Sequence, residues 1–128
     1  MYCRCNGPDV PIATPTGPRR ISELRVGDLV YSVENDAIVV APLAAVVTRP
    51  APADGYVRVV LDDGSSFVTS AVHPLADGRI AGDLAHATPA RRPSEVTYDI
   101  LPATESGTYF VGDVAFASTL RDLAGRRP

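Results

Sequence analysis

The chain has 128 residues, 45% of them hydrophobic, which is enough to bury one sizeable core and too few to indicate two domains. Its formal charge is −3, from 12 basic and 15 acidic residues, and its arginines are scattered, so a nucleic-acid surface is not expected. No apolar run approaches the roughly 20 residues of a membrane helix, and no N-terminal segment has the order of a secretion signal. We therefore expect a single soluble domain, a monomer without a nucleic-acid or membrane partner.

Short runs of β-branched and aromatic residues recur along most of the chain, each bounded by Gly, Pro, Asn or Asp. Such runs predict strands, here at residues 29–33, 37–40, 44–48, 56–61, 66–69 and 96–101. The sequence Asp62-Asp63-Gly64-Ser65 predicts a hairpin turn, because glycine adopts positive φ without steric cost. The predicted fold class is all-β, made of short antiparallel strands and hairpins.

The segments between these strands are predicted mainly as turns and loops. Turns are expected at 34–36 and 76–78, and a stiff surface loop at 50–55. Residues 22–24 predict a single helical turn, and 119–124 predict a short terminal helix with Ser118 as its cap and Gly125 as its stop. Residues 87–94 contain two prolines and no apolar pattern, which predicts a connector.

A cysteine and a histidine supply the chemistry of nucleophilic acyl transfer. A cysteine is a strong nucleophile only as the thiolate, and its ordinary pKa is about 8.5. Cys5 has the carbonyl carbon of Arg4 within reach, and attack there would convert the Arg4-Cys5 amide into a thioester. A histidine, with an ordinary pKa of about 6.5, is well suited to protonate the departing amide nitrogen at neutral pH. We expect His73 to have this role.

Two further residues are expected to assist this chemistry. Ser70 precedes His73 by three positions, and its hydroxyl could hold the scissile amide or orient the imidazole. Asp99 lies between Tyr98 and Ile100 on a predicted strand, so alternation sends those neighbours to the opposite face. An inward carboxylate could accept the thiol proton or stabilise the imidazolium. Taken singly, each residue also has an ordinary structural role open to it, such as closing a strand or bonding a backbone amide.

The motifs around these residues follow a recognisable order. The seventh position after Cys5 is Ile12, which precedes Thr14-Pro15-Thr16-Gly17, whereas the same count from Cys3 reaches Val10 and misses the turn. Further along come ISELRVGDLV at 21–30, SAVHP at 70–74, YDI at 98–100 and GTYFVGDV at 107–114. In order and spacing these motifs resemble the Hint family, the autoprocessing domains of Hedgehog proteins and inteins, with Cys5 as the nucleophile and serine in place of threonine at position 70.

The resemblance carries implications for fold and organisation. It implies a compact, horseshoe-like Hint fold of minimal, bacterial-like form over residues 5–118. Residues 1–4 then form an upstream segment, equivalent to the end of an N-terminal extein, and 119–128 form a C-terminal tail. The substrate would be the chain's own upstream polypeptide.

The resemblance also implies a mechanism that needs no cofactor and no metal. The implied catalytic residues are Cys5, Ser70, His73 and Asp99, which form the thioester in a single-turnover, autocatalytic N-to-S acyl shift. Water, a thiol or another small nucleophile then resolves it. Inteins usually end in His-Asn followed by a nucleophile, whereas Ala117 and Ser118 stand at the corresponding positions here. Cleavage of the Arg4-Cys5 bond is therefore expected without splicing.

Two other functional classes stay open at the level of sequence. Zinc ligand types are present, although their spacing fits no common zinc motif, at Cys3, Cys5, His73 and His86. The other alternative is a degenerate Hint-like β domain that makes protein contacts without catalysis. The two cysteines lie too close in sequence for an unstrained bridge, so they predict neither a disulfide framework nor a compartment.

Overall fold

Ten strands and two single 3₁₀ turns make up the regular structure of the computed structural model, which describes residues 5–120. The 3₁₀ turns are Ile21–Glu23 and Ala81–Asp83. The strands are β1 (Pro11–Ile12), β2 (Arg19–Arg20), β3 (Leu29–Glu34), β4 (Ala37–Pro50), β5 (Tyr56–Val60), β6 (Ser66–Ser70), β7 (Ala87–Ala90), β8 (Val96–Pro102), β9 (Thr108–Val111) and β10 (Val114–Ala117). The predicted all-β class is confirmed. Within 5–120, no helix is long and apolar enough to cross a membrane.

The strands form three antiparallel sheets. Their orders are β10-β9-β1-β2, β3-β4-β8 and β6-β5-β7. The β3–β4 hairpin closes through Asn35 and Asp36, both at positive φ, where a turn was expected. The predicted hairpin at 62–65 joins β5 to β6 with Gly64 at φ 88°, and β5 pairs with β6 from Tyr56 to Val60. Both turns therefore agree with the sequence.

The structure corrects two predictions on strand boundaries. The segments 37–40 and 44–48 are one long strand, β4, because it pairs with β3 along its first part and with β8 along its second. A register shift between Leu43 and Ala45 accommodates the change of partner. Residues 87–94 are not wholly a connector, since 87–90 form β7. Pro89 is compatible with β7 because this strand lies at the edge of its sheet.

At the C-terminal end, the predicted helix over 119–124 lies mostly outside the described residues. Thr119 and Leu120 form a turn, and Leu120 is buried. The single turn predicted at 22–24 is present as the 3₁₀ turn Ile21–Glu23.

Inward side chains of all three sheets meet in one hydrophobic core. Its largest fully buried apolar members come from separate strands, and the rings of Phe67 and Phe116 pack edge to face with centroids 6.0 Å apart. The core residues are Val10, Ile12, Ile21, Leu24, Val30, Leu43, Val57, Val59, Phe67, Leu75, Ala81, Ile100, Tyr109, Val111 and Phe116.

A short N-terminal segment joins two of the sheets. Asn6 forms β-bridges to Thr69 of β6 on one side and to Tyr98 of β8 on the other. The N–H of Asn6 donates to the Tyr98 carbonyl at 2.8 Å, and the Tyr98 N–H donates back to the Asn6 carbonyl at 2.8 Å. The chain immediately after Cys5 is therefore fixed between the strand that leads to His73 and the strand that carries Asp99.

Candidate active site

Cys5 lies inside the protein with its backbone anchored on β6. Its side chain is a thiol outside any disulfide, and the residue is 3% exposed. Its carbonyl accepts hydrogen bonds from the Ser70 N–H at 3.1 Å and from the Thr69 hydroxyl at 3.4 Å. Cys5 and Ser70 therefore lie side by side, and the hydrogen bond between them uses the backbone N–H of Ser70.

Ser70 ends β6 and shapes the turn that leads to His73. The Ser70 carbonyl accepts from the His73 N–H at 3.1 Å, and its hydroxyl accepts from the Val72 N–H at 3.4 Å. The side chain is buried, so these bonds form without competition from water. In this arrangement Ser70 fixes the position of both Cys5 and His73.

His73 and Asp99 face one another in the interior. Both side chains are fully buried, and Nε2 of His73 is 3.7 Å from Oδ1 of Asp99, an ion-pair distance too long for a direct hydrogen bond. The other ring nitrogen, Nδ1, lies 3.1 Å from the Pro74 carbonyl. The ring of Phe116 packs against the imidazole with centroids 5.0 Å apart. The sequence-predicted histidine and aspartate therefore lie close together in a fully buried environment.

Tyr109 and Asn6 connect this pair to the segment that contains Cys5. The Tyr109 hydroxyl is 2.7 Å from Oδ1 of Asp99 and 3.0 Å from Nε2 of His73. Nδ2 of Asn6 donates to the same hydroxyl at 2.8 Å, and Oδ1 of Asn6 accepts from the Thr69 hydroxyl at 2.8 Å. One buried hydrogen-bonded cluster, which includes the residue directly after Cys5, is thus formed by Asn6, Thr69, His73, Asp99 and Tyr109.

The carboxylate of Asp99 is satisfied on both oxygens. Oδ1 also accepts from the Ile100 N–H at 2.9 Å, and Oδ2 accepts from the Thr119 N–H at 2.8 Å and from the Thr119 hydroxyl. Burial by itself raises the pKa of Asp99, but the interaction with His73 and the hydrogen bonds from Thr119 and Tyr109 lower the pKa below its ordinary value of 3.8. Asp99 is therefore held as the carboxylate.

Tyr109 is held as the neutral phenol. Burial, followed by the charge and the hydrogen bond of Asp99, raises the pKa of Tyr109 well above its ordinary value, and the Asn6 hydrogen bond only partly opposes this. A negative charge on the Cys5 thiolate would raise the pKa of Tyr109 further, as the smallest of these causes. At neutral pH the Tyr109 hydroxyl is accordingly a hydrogen-bond donor and acceptor, and not an anion.

Three members of the cluster, Asn6, Thr69 and Tyr109, and the Asp99 partner Thr119 were not predicted from the sequence as site residues. Strand alternation carried a usable signal for two of them. Thr69 shares a face with buried Phe67, and Tyr109 shares a face with buried Val111, so both polar groups point inward. Alternation does not hold along the whole of β8, since the adjacent residues Asp99 and Ile100 are both fully buried. Asn6 and Thr119 reach the cluster through tertiary contacts that no local pattern reveals.

The described residues do not include a metal-binding cluster. Over 5–120, no three His, Cys, Asp or Glu side chains lie together in a way that could hold a metal ion. The ring nitrogens of His73 face the Pro74 carbonyl and the Tyr109 hydroxyl, and His86 is exposed beside β7. Cys3 lies outside the described residues.

The fold defines the class of domain. Solved structures that share the architecture over about nine-tenths of the chain are inteins and intein-like domains. The chain has the Hint fold, in the minimal form found in a bacterial intein-like domain. All the sequence identities lie below 25%, so the likeness establishes the fold.

Three of these structures show the extent of the match. The bacterial intein-like domain from Clostridium thermocellum is 17% identical, with a TM-score of 0.70 over 91% of this chain and 99% of its own. A DnaB intein from Synechocystis sp. PCC 6803 is 12% identical, with a TM-score of 0.65 over 90% of this chain and 98% of its own. The Msm DnaB1 intein splicing domain, solved bound with zinc, is 23% identical, with a TM-score of 0.60 over 88% and 98%. No family model matches the chain, and no curated protein matches its sequence.

Proposed function

We propose that this chain is a self-processing domain that cleaves the peptide bond between Arg4 and Cys5. The observation that carries the proposal is that Cys5 is buried and anchored on β6, while the adjacent Asn6 is hydrogen-bonded into the cluster that contains His73 and Asp99. A cysteine thiol next to a peptide bond, followed by a residue that is hydrogen-bonded to a buried imidazole–carboxylate network, supplies the parts of a nucleophilic acyl-transfer site.

The first step is an isomerisation that needs no external reagent. The Cys5 sulfur attacks the Arg4 carbonyl carbon, a C–S bond forms, and the C–N bond of the amide breaks. The departing nitrogen takes a proton from His73 and becomes the α-amine of Cys5, and the proton that the thiol gives up returns to His73, so atoms and charge balance. In this proposal His73 supplies the proton to nitrogen, Asp99 stabilises the imidazolium, and Ser70 holds Cys5 in place.

The second step releases the upstream polypeptide. Water attacks the thioester and yields a carboxylic acid at Arg4, or a small thiol attacks and yields a new thioester, and in both cases the Cys5 thiol is regenerated. The solved relatives are inteins, which supports a domain embedded in a host polypeptide as the natural arrangement. Position 118 is serine and not the asparagine whose cyclisation inteins use, so we propose cleavage at the N-terminal junction without splicing.

The test is a fusion of a folded reporter upstream of Met1, incubated with and without a small thiol and analysed by intact mass. The expected product is a reporter that ends at Arg4, as the acid without thiol and as the thiol adduct with it, formed faster in the presence of thiol. Cys5→Ala should abolish the cut, whereas the matched variant Cys3→Ala should retain it. No cut in the wild-type fusion, or a cut that survives Cys5→Ala, would overturn the proposal.

A contact domain without catalysis is the second candidate, and one observation favours it. Apolar side chains on the β3–β4 hairpin are exposed, including Leu29 at 53%, Ile38 at 67% and Val40 at 48%. Isolated exposed apolar residues are ordinary, but a cluster on one hairpin is typical of interaction surfaces. An uncut wild-type fusion would favour this reading.

A further inference from the structure

The Tyr109 hydroxyl has three hydrogen-bonding partners, and it can donate to only one of them because it has a single hydrogen. Its oxygen lies 2.8 Å from Nδ2 of Asn6, 2.7 Å from Oδ1 of Asp99 and 3.0 Å from Nε2 of His73. Nδ2 of Asn6 also faces the Tyr98 carbonyl, which only accepts, so this atom is the amide nitrogen and acts as a donor. One lone pair of the hydroxyl is therefore used by Asn6. One hydrogen and one lone pair remain for Asp99 and His73.

The partners of Asp99 decide how that hydrogen is used. Its oxygens already accept from the Ile100 N–H and from both the N–H and the hydroxyl of Thr119, which is the environment of an ionised carboxylate. A carboxylate can only accept, so Tyr109 donates its hydrogen to Asp99. The remaining lone pair of Tyr109 then faces Nε2 of His73, and that nitrogen must carry a hydrogen of its own.

The second ring nitrogen of His73 must also carry a hydrogen. Nδ1 faces the Pro74 carbonyl at 3.1 Å, and a carbonyl oxygen only accepts. With hydrogens on both nitrogens the ring is an imidazolium. The hydroxyl of Tyr109 bridges its charge to Asp99 across the 3.7 Å that separates Nε2 from Oδ1. His73 faces Asp99 of β8 and Tyr109 of β9 as titratable groups, while β10 presents the uncharged ring of Phe116.

We infer that Tyr109 is a positioning residue for the proposed acyl shift, whose hydroxyl keeps His73 doubly protonated beside Asp99 until the Cys5 amide nitrogen requires a proton. This inference rests on the proposed function for its catalytic meaning and on the hydrogen-bond geometry for its structural part. Without the bridging oxygen, Nε2 of His73 has no acceptor at hydrogen-bond distance, since Oδ1 of Asp99 is 3.7 Å away, and a buried N–H without an acceptor is costly. Tyr109→Phe should therefore release the Nε2 proton. Asn6 ties the same oxygen to the residue that follows Cys5.

Tyr109→Phe removes the oxygen and keeps the ring. The matched control is Tyr56→Phe, because Tyr56 of β5 is also buried and its hydroxyl also makes a hydrogen bond, which it donates to the Pro52 carbonyl at 2.8 Å. Both variants lose one phenolic hydroxyl, but only one of these hydroxyls contacts His73. Thermal unfolding of both variants defines a temperature at which each is folded for the measurements.

The first measurement is ¹⁵N NMR of the imidazole nitrogens in the whole chain without a reporter. The chain has two histidines, and exposed His86 serves as an internal reference. At pH 7 we expect both nitrogens of His73 to be protonated in the wild type and in Tyr56→Phe, and Nε2 to be unprotonated in Tyr109→Phe. A neutral His73 in the wild type, or an imidazolium that persists in Tyr109→Phe, would overturn the inference.

The second measurement is the cleavage rate of the reporter fusion against pH. We expect Tyr109→Phe to be at least about tenfold slower than wild type at pH 8 and closer to wild type at pH 6, where protons for the departing amide nitrogen are more abundant. An equal deficit at both pH values would indicate a merely structural effect and contradict the inference. Because the NMR experiment does not depend on cleavage, an uncut wild-type fusion would refute the proposed function and leave the role of Tyr109 to be decided by the imidazole signals.

Discussion

Replacement of Asp99 by asparagine tests the charge at the centre of the cluster. The change keeps the shape of the side chain but replaces one accepting oxygen with a donating NH₂ group. That group must face either Tyr109 and the Ile100 N–H, or the two donors of Thr119. In either orientation the NH₂ group of asparagine would face other hydrogen-bond donors in a fully buried site. His73 would also lose its counter-ion.

The size of the effect follows from these contacts. Hydrogen bonds to charged groups contribute about 1.5 to 3 kcal/mol each, and loss of one partner of a buried pair costs about 3 to 5 kcal/mol. Two such bonds are affected, so we expect Asp99→Asn to lower the free energy of unfolding at pH 7 by about 3 to 5 kcal/mol. This is a large part of the roughly 5 to 15 kcal/mol that stabilises a typical domain.

The effect should depend on pH in a defined direction. The pKa of Asp99 is lowered in the folded state, since its hydrogen bonds and His73 outweigh burial, so folding favours the ionised form. The contribution of this carboxylate to the free energy of unfolding is present when the pH is above its ordinary pKa of 3.8. It is lost as the pH falls through the lower pKa of the folded state. The Asp99→Asn variant lacks this contribution. The stability difference between the two proteins should therefore be largest at neutral pH and shrink below about pH 3.8.

The assay is urea unfolding followed by circular dichroism at pH 7, 5, 4 and 3, since the chain has no tryptophan. Other carboxylates with lowered pKa values, such as Asp63 bonded to Ser65, are common to both proteins and cancel in the difference. Asp9→Asn is the control, because Asp9 is exposed and has an ion pair with Arg20 at 3.5 Å. It should change stability by less than about 0.5 kcal/mol. A loss below about 1 kcal/mol for Asp99→Asn at pH 7, or a difference independent of pH, would refute the reasoning.

Two further substitutions test the packing that positions the site. Phe67→Ala removes a ring that is 1% exposed and should lower the free energy of unfolding by about 3 to 5 kcal/mol, whereas Ile38→Ala, at 67% exposure, should change it by less than about 0.5 kcal/mol in the same urea titration. Equal effects would contradict the assignment of the core. Gly7→Ala places a Cβ 2.7 Å from the Val68 carbonyl oxygen, so we expect a loss of about 1 to 3 kcal/mol and slower release of the reporter, measured by mass. An unchanged unfolding midpoint would show that this contact is not restrictive.

Much of the local structure was predictable because its causes are local. Alternating β-branched runs and glycine-containing turns predicted β3, β5, β6 and β8 within one or two residues, since side-chain alternation and turn dihedrals depend on neighbours in sequence. The two wrong predictions share a cause, which is that each depends on how a strand is placed within its sheet. The interior of β4 was read as two strands because its exchange of partners is not encoded in the strand itself, and β7 was missed because an edge position tolerates its proline.

The sequence by itself determined the all-β class and the candidate residues Cys5, Ser70, His73 and Asp99. It did so because residue type fixes the available chemistry and short-range order fixes the strands. Only the tertiary structure decided that His73 and Asp99 pair through the Tyr109 hydroxyl and that Asn6 ties this pair to the segment after Cys5. These contacts join residues up to 103 positions apart, and hydrogen-bond geometry at that separation is set by how the three sheets pack and not by any local pattern.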